Sequence, residues 1–141
     1  MKTIIKFDVI DLEGDGFHLN INGKANGIDV NLIIDTGASK TVFDINTIKE
    51  VLQQETLNEN DKLSSGLGTN TMKSFKTTIE KFELDGFEEL NYEVAVLDLT
   101  HVNLSYENIG LSPIDGIIGG DILVKYSAII NYKEKTLTLS N

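Results

Sequence analysis

The sequence predicts an all-β domain, its strands closed into a barrel and accompanied by one or two short helices. Three observations carry this expectation. Short segments alternate apolar and polar residues with a period of two, as in Ile5, Phe7 and Val9 against Lys6 and Asp8, or Phe17, Leu19 and Ile21 against His18 and Asn20. Turn-forming residues recur between such segments, at Glu13-Gly14-Asp15-Gly16, Asn22-Gly23, Asn26-Gly27, Asp85-Gly86 and Lys133-Glu134-Lys135. Only one stretch has clear helical spacing, and it is short.

Taken in order, the first two alternating segments read as half-buried strands joined by the turn at residues 13–16. Asp11, Glu13, Asp15 and Gly16 echo the start of a calcium loop. Such a loop needs an acid eleven residues after its first ligand, where this chain has Asn22, so the turn reading stands and no metal is expected. Asn22-Gly23 and Asn26-Gly27 bracket a second turn, and Ile28 to Ile34 returns as a strand. Thr41-Val42-Phe43 continues extended. Asp44 is a helix N-cap, with Ile45, Ile48, Val51 and Leu52 at helical spacing to about Gln54. Glu55 to Lys62 is a polar connection. Leu63 to Phe75 holds the small residues Ser64-Ser65-Gly66-Leu67-Gly68, a hairpin tip. Thr77 to Leu84 and Leu90 to Leu99 are strands, the second apolar on both faces from Tyr92 to Leu97 and therefore central. Thr100 to Pro113 reads as an irregular loop, and Ala128–Ile130 with Thr136–Leu139 closes the fold as a hairpin.

Length and composition set outer limits. At 141 residues the chain is expected to form one domain, residues 1–141, with a real core. The net charge is −10, and every cation is Lys. An acidic chain without Arg argues against nucleic-acid or phosphate partners. There is no cysteine, hence no disulfide framework and no thiolate metal site. Charge returns at Lys6, Asp8 and Asp11 before an apolar leader can form, and no apolar run approaches the roughly 20 residues of a membrane span. The expected compartment is the cytoplasm. His18, outward on its strand, and His101, in the loop, read as surface residues. No cofactor is expected.

The chain is organised around Ile33-Ile34-Asp35-Thr36-Gly37-Ala38-Ser39. An apolar run ends abruptly on a carboxylate, a costly place for a charge unless it is paired or protonated. Small residues then let another backbone approach closely. Far downstream stands Asp115-Gly116-Ile117-Ile118-Gly119-Gly120-Asp121-Ile122-Leu123. Together these two stretches resemble the retropepsin-like aspartic proteases of the single-domain, bacterial type, relatives of the retroviral proteases. Asp35-Thr36-Gly37-Ala38-Ser39 matches that family's active-site signature. Ile117-Ile118-Gly119 matches its hydrophobic-hydrophobic-glycine motif, which packs behind the active-site loop and leads into a short helix. The resemblance spans roughly Val30 to Leu139.

The resemblance implies a barrel of the acid-protease type and an aspartic endopeptidase acting on peptides or proteins. Metal-free peptide hydrolysis needs a water activated against a carbonyl and a proton for the leaving amine, and two carboxylates sharing one proton supply both. This chain has one Asp-Thr-Gly; Asp115 and Asp121 lack the following Thr-Gly. The family's solution is a two-fold homodimer that places Asp35 against its symmetry mate. The resemblance also implies that Thr36 bonds across the dimer beneath the carboxylates, that Gly37 supplies backbone N–H groups near the acid, and that Gly66, Leu67 and Gly68 form the tip of a flap over the substrate. In retroviral members an acid follows Asp-Thr-Gly-Ala and pairs with an Arg after the Ile-Ile-Gly glycine; here Ser39 and Gly120 hold those positions. The competing expectation is a monomeric, non-catalytic domain of the same fold that binds a peptide or protein along the groove.

Overall fold

The computed structural model describes residues 1–54 and 75–141. The expected flap, Leu63 to Phe75 with its tip at Gly66, Leu67 and Gly68, lies outside the described residues except for Phe75, which opens a strand.

Among the described residues, ten strands and three helices follow one another. The N-terminal alternation is divided at Phe7 into β1 (Lys2–Lys6) and β2 (Asp8–Asp11), which join different sheets. After the turn come β3 (Phe17–Ala25) and β4 (Ile28–Ile34), linked by Asn26 and Gly27, both with positive φ. Two such residues give a turn whose twist matches that of the strands. Asn22-Gly23, expected to help form that turn, lies within β3 instead. A short strand β5 (Val42–Asp44) leads into α1 (Ile45–Leu52). Asp44 caps α1 by accepting from Asn46 N–H, and Ile48 and Val51 are buried, so the helical expectation holds.

Next, β6 (Phe75–Leu84) and β7 (Phe87–Leu97) form a hairpin through Asp85 and Gly86. The second strand starts at Phe87, earlier than its pattern suggested. Residues 100–113 are not all loop: α2 (Thr100–Asn108) occupies most of the segment. Its start is fixed by Asp98, which accepts from the Thr100 N–H at 2.9 Å and from the Thr100 hydroxyl. Its buried face is carried by Tyr106, one turn after the partly buried Val102. The chain finishes with β8 (Gly116–Ile118), α3 (Gly120–Lys125), β9 (Ile129–Asn131) and β10 (Thr136–Ser140).

Six strands close a ring in the order β3-β4-β8-β5-β7-β6, with β6 pairing back to β3, and β2 extends β3 at its outer edge. The barrel expected from the alternation is therefore present, and β7 is flanked on both sides within it. The ring closes where Gly23 and Ala25 face Leu84 and Phe82, and a Cβ at Gly23 would sit 2.5 Å from the Glu83 carbonyl oxygen. A second sheet, β1-β10-β9, buries Ile5, Leu137 and Leu139 against the barrel core. The apolar start of the chain is thus used as strand.

The pair β4–β8 is parallel and covered on both sides. Leu32, Ile34 and Ile118 face the main core, together with Phe43, Phe82 and Ile79. Ile33 faces a smaller core with Leu99, Tyr106 and Ile114, against which Ile117 also packs. This two-sided burial explains the nearly continuous apolar run that delivers Asp35. Among the described residues no helix is long and apolar enough to cross a membrane.

Candidate active site

Asp35 is the first residue beyond β4, at the point where the main chain leaves the double-sided core. Its N–H donates to the Ile118 carbonyl at 3.0 Å, and its carbonyl accepts from Ala38 N–H at 3.1 Å. The backbone is therefore held before and after the side chain. The carboxylate itself is exposed, and its Oδ1 accepts from Gly37 N–H at 2.8 Å. Burying such a charge beside Ile33 and Ile34 without a partner would be costly, and the fold turns it outward. Thr36, Gly37 and Ser39 are exposed with it, while Ala38 is half-buried.

Ile117, Ile118 and Gly119 stand directly behind this loop. Ile33 pairs with Ile117 and Ile34 with Ile118 in the parallel register. A Cβ at Gly119 would lie 2.5 Å from the carbonyl carbon and oxygen of Lys40 and 2.9 Å from the Ala38 oxygen, so only glycine allows this approach. Gly120 is different: its N–H donates to the Ala38 oxygen at 2.7 Å, and a Cβ there would make an ordinary 3.4 Å contact.

A set of polar residues not singled out in the sequence braces the loop from below. Thr41 is fully buried; its hydroxyl accepts from Gly119 N–H at 3.1 Å and donates to Asp121 Oδ1 at 2.8 Å. The other oxygen of Asp121 accepts from the Tyr92 hydroxyl at 2.7 Å. Burial acts to raise the Asp121 pKa, but the bonds from Tyr92, Thr41 and the Ile122 backbone outweigh it and hold the carboxyl below the usual carboxylate range. Burial first, and then the Asp121 charge, push the Tyr92 phenol far above its ordinary value. The chain thus links α3 to the active-site loop through a neutral hydroxyl and one carboxylate, with no ion pair between positions 39 and 120. Asp115 is also occupied, accepting from Asn31 N–H and from the Thr47 hydroxyl, each at 2.8 Å. The available signal was positional: acids immediately before and after a glycine-rich stretch, facing Thr41 and Thr47 across the fold.

Beside Asp35 and Thr36 opens a cleft of about 310 Å³. Its walls mix polar and apolar surface, with Ile33 and Ile117 from the strand pair, Val102 from α2, and Phe17 and Tyr132 at its rim. His18 also lines it. It points outward from the barrel, as the alternation of β3 indicated, yet it is not a free surface residue. The second core and α2 cover that face, His18 is half-buried, its Nδ1 is hydrogen-bonded to the Tyr106 hydroxyl, and the two rings stack with centroids 5.8 Å apart. His101 is exposed, but on α2 rather than in a loop.

The profile of the aspartyl protease family matches residues 21–122, from the middle of β3 to the first turn of α3. The chain belongs to the aspartyl protease family. The match includes both the Asp35 loop and the glycine stretch that supports it. Among solved structures, this family member is similar to the retroviral protease-like domain of Ddi1 from Leishmania major, with a TM-score of 0.64 and 18% identity over 88% of this chain and 89% of that one. It is also similar to a retropepsin-like aspartic protease from Rickettsia conorii, with a TM-score of 0.59 and 20% identity over 99% of this chain and 88% of that one. EIAV protease in complex with the inhibitor HBY-793 gives a TM-score of 0.52 and 18% identity over 82% and 93%. At these identities the likeness is one of fold, and that fold is retropepsin-like. A search of curated proteins returns no significant match.

Proposed function

We propose that the chain, acting as one domain over residues 1–141, is an aspartic endopeptidase whose catalytic dyad forms from Asp35 of two copies in a homodimer. The observation that carries this reading is the setting of Asp35. It is an exposed carboxylate on a loop fixed at both ends, beside a cleft, while Asp115 and Asp121 are engaged with other partners. A partner carboxylate for Asp35 then comes from a second copy, and two-fold symmetry sets the same residue against itself.

In the dyad one carboxylate is ionised and the other protonated, because like charges at such close range do not both ionise. The ionised group takes a proton from water as the oxygen attacks the peptide carbonyl carbon, and the protonated group donates to the carbonyl oxygen. Collapse of the tetrahedral diol breaks the C–N bond, and a proton passes to the leaving amine, which returns the dyad to its shared-proton state. Gly37 N–H orients one carboxylate oxygen, Thr36 bonds across the dimer, Ala38 and Ser39 complete the loop, and Ile117, Ile118 and Gly119 hold it in place. Gly66, Leu67 and Gly68 are proposed as the flap tip on sequence grounds. The substrate class is peptide or protein, and the cytoplasm is the proposed compartment.

Cleavage of a peptide library at several protein concentrations and pH values tests the reading. Asp35→Asn is expected to lower the rate by at least about 10²–10⁴-fold, since the amide can neither act as base nor hold the shared proton. Activity per chain is expected to fall on dilution below the dimer constant, and to fall again as pH rises until both carboxylates ionise. The second reading, a monomeric peptide-binding domain, is favoured by one observation: Ser39 and Gly120 leave out the charged pair expected to support a dimer. Concentration-independent behaviour of a monomer, with full retention of properties in Asp35→Asn, would establish it instead.

A further inference from the structure

We propose that His18, held by Tyr106, determines side-chain specificity in the cleft beside Asp35, favouring peptides that place there an apolar stem with a hydrogen-bond-accepting tip, Gln or Glu. The inference rests on the reading of Asp35 as the reacting centre. Ile33, Ile114, Ile117 and Val102 line the same cleft as His18, so a substrate side chain entering it meets hydrocarbon along part of its length. His18 adds a polar group to that wall, and its Nδ1 is engaged by the hydroxyl that lies behind it. Tyr106 is 3% exposed, and burial raises its pKa, so it remains a phenol with a proton to donate.

In the tautomer proposed here, that proton is donated to His18 Nδ1, the atom bonded to the Tyr106 oxygen. A neutral imidazole that accepts at Nδ1 carries its own proton at Nε2, and the imidazolium carries one there as well. In both states the ring therefore offers an N–H donor at Nε2, and stacking on Tyr106 restrains it from turning. A donor set among apolar side chains discriminates strongly. A substrate that supplies an acceptor satisfies it, whereas one that brings only hydrocarbon strips water from it and gives nothing back.

The test uses blocked peptides that differ only in carrying Gln, Glu, Leu or norleucine at one position, scanned along the peptide. Cleavage is measured with the wild-type chain and dissociation constants with Asp35→Asn. At one position Gln and Glu are expected to be favoured over Leu and norleucine by about fivefold or more. His18→Leu is expected to abolish or invert that ratio, His18→Gln to retain it through its own N–H donor, and Tyr106→Phe to narrow it. Should His18→Leu fail to fold by near-ultraviolet circular dichroism, the contrast between His18→Gln and Tyr106→Phe decides. An unchanged ratio in folded His18→Leu, or no Gln and Glu preference at any position, overturns the inference. Selective binding without cleavage upholds it and removes the protease reading, whereas cleavage indifferent to His18 does the reverse. Peptides neither bound nor cut would remove both.

Discussion

Asp121 shows how much one side chain can hold in place. It joins Thr41, and through it Gly119, to Tyr92 on β7, so the loop bearing Asp35 is tied to a central strand of the barrel. The two ends of this link titrate in opposite senses. Asp121 has a lowered native pKa, so its contribution is present above about pH 4, the unfolded value, and is lost as pH falls through the native one. Tyr92 has a raised pKa, so its contribution is complete below about pH 10 and declines as pH rises beyond it. Denaturant titrations across pH are expected to show Asp121→Asn flattening the acid limb and Tyr92→Phe flattening the alkaline one. At pH 7, Tyr92→Phe is expected to cost about 1 kcal/mol, low for a charged hydrogen bond because the pair is only partly buried. Identical acid limbs in wild type and Asp121→Asn would refute the assignment.

At the level of elements, closure of the ring depends on Gly23, where β3 and β6 approach too closely for a side chain. Gly23→Ala is expected to destabilise the chain by about 1–3 kcal/mol, with amide exchange accelerating first at residues 23–25 and 82–84. Uniform acceleration across the barrel would show that this seam has no separate role. The same glycine marks a limit of sequence reading. Asn-Gly has the chemistry of a turn, and nothing local distinguishes Asn22-Gly23 from Asn26-Gly27; what separates them is β6, about 60 residues away. The start of β3, the strands β4 and β5, the cap at Asp44 and the support of Asp35 by Ile117-Ile118-Gly119 were legible because each follows from period or local motif. α2 was not, since only Tyr106 is buried on it and its start is set by Asp98, two residues earlier. His18 was misread for the same reason: its cover is a helix that its own strand does not announce.

Considered whole, each copy carries ten excess negative charges, so two copies repel before they meet. If the dimer forms around Asp35, raising ionic strength screens that repulsion and strengthens apolar contacts between rims bearing Phe17 and Tyr132, each 66% exposed. Sedimentation is expected to show the dimer constant tightening between about 20 and 200 mM salt, where the Debye length shrinks to less than half. A dimer that weakens with salt would mean that ion pairs, not apolar surface, join the copies.

The pairing of β1 with β10 also governs when this molecule can come into being. Lys2 to Lys6 leave the ribosome long before their partners, Thr136 to Ser140. Until synthesis reaches those positions, Ile5 lacks the cover of Leu137 and Leu139, and Ile4 and Phe7 flank it in a short β-forming segment with no mate. Such a segment invites pairing with neighbouring nascent chains. The charges interleaved with it, Lys2, Lys6 and Asp8, occupy the places where gatekeepers of solubility belong. The order of assembly is therefore set by topology: the barrel can form first, and β1 is secured only once β10 has been made.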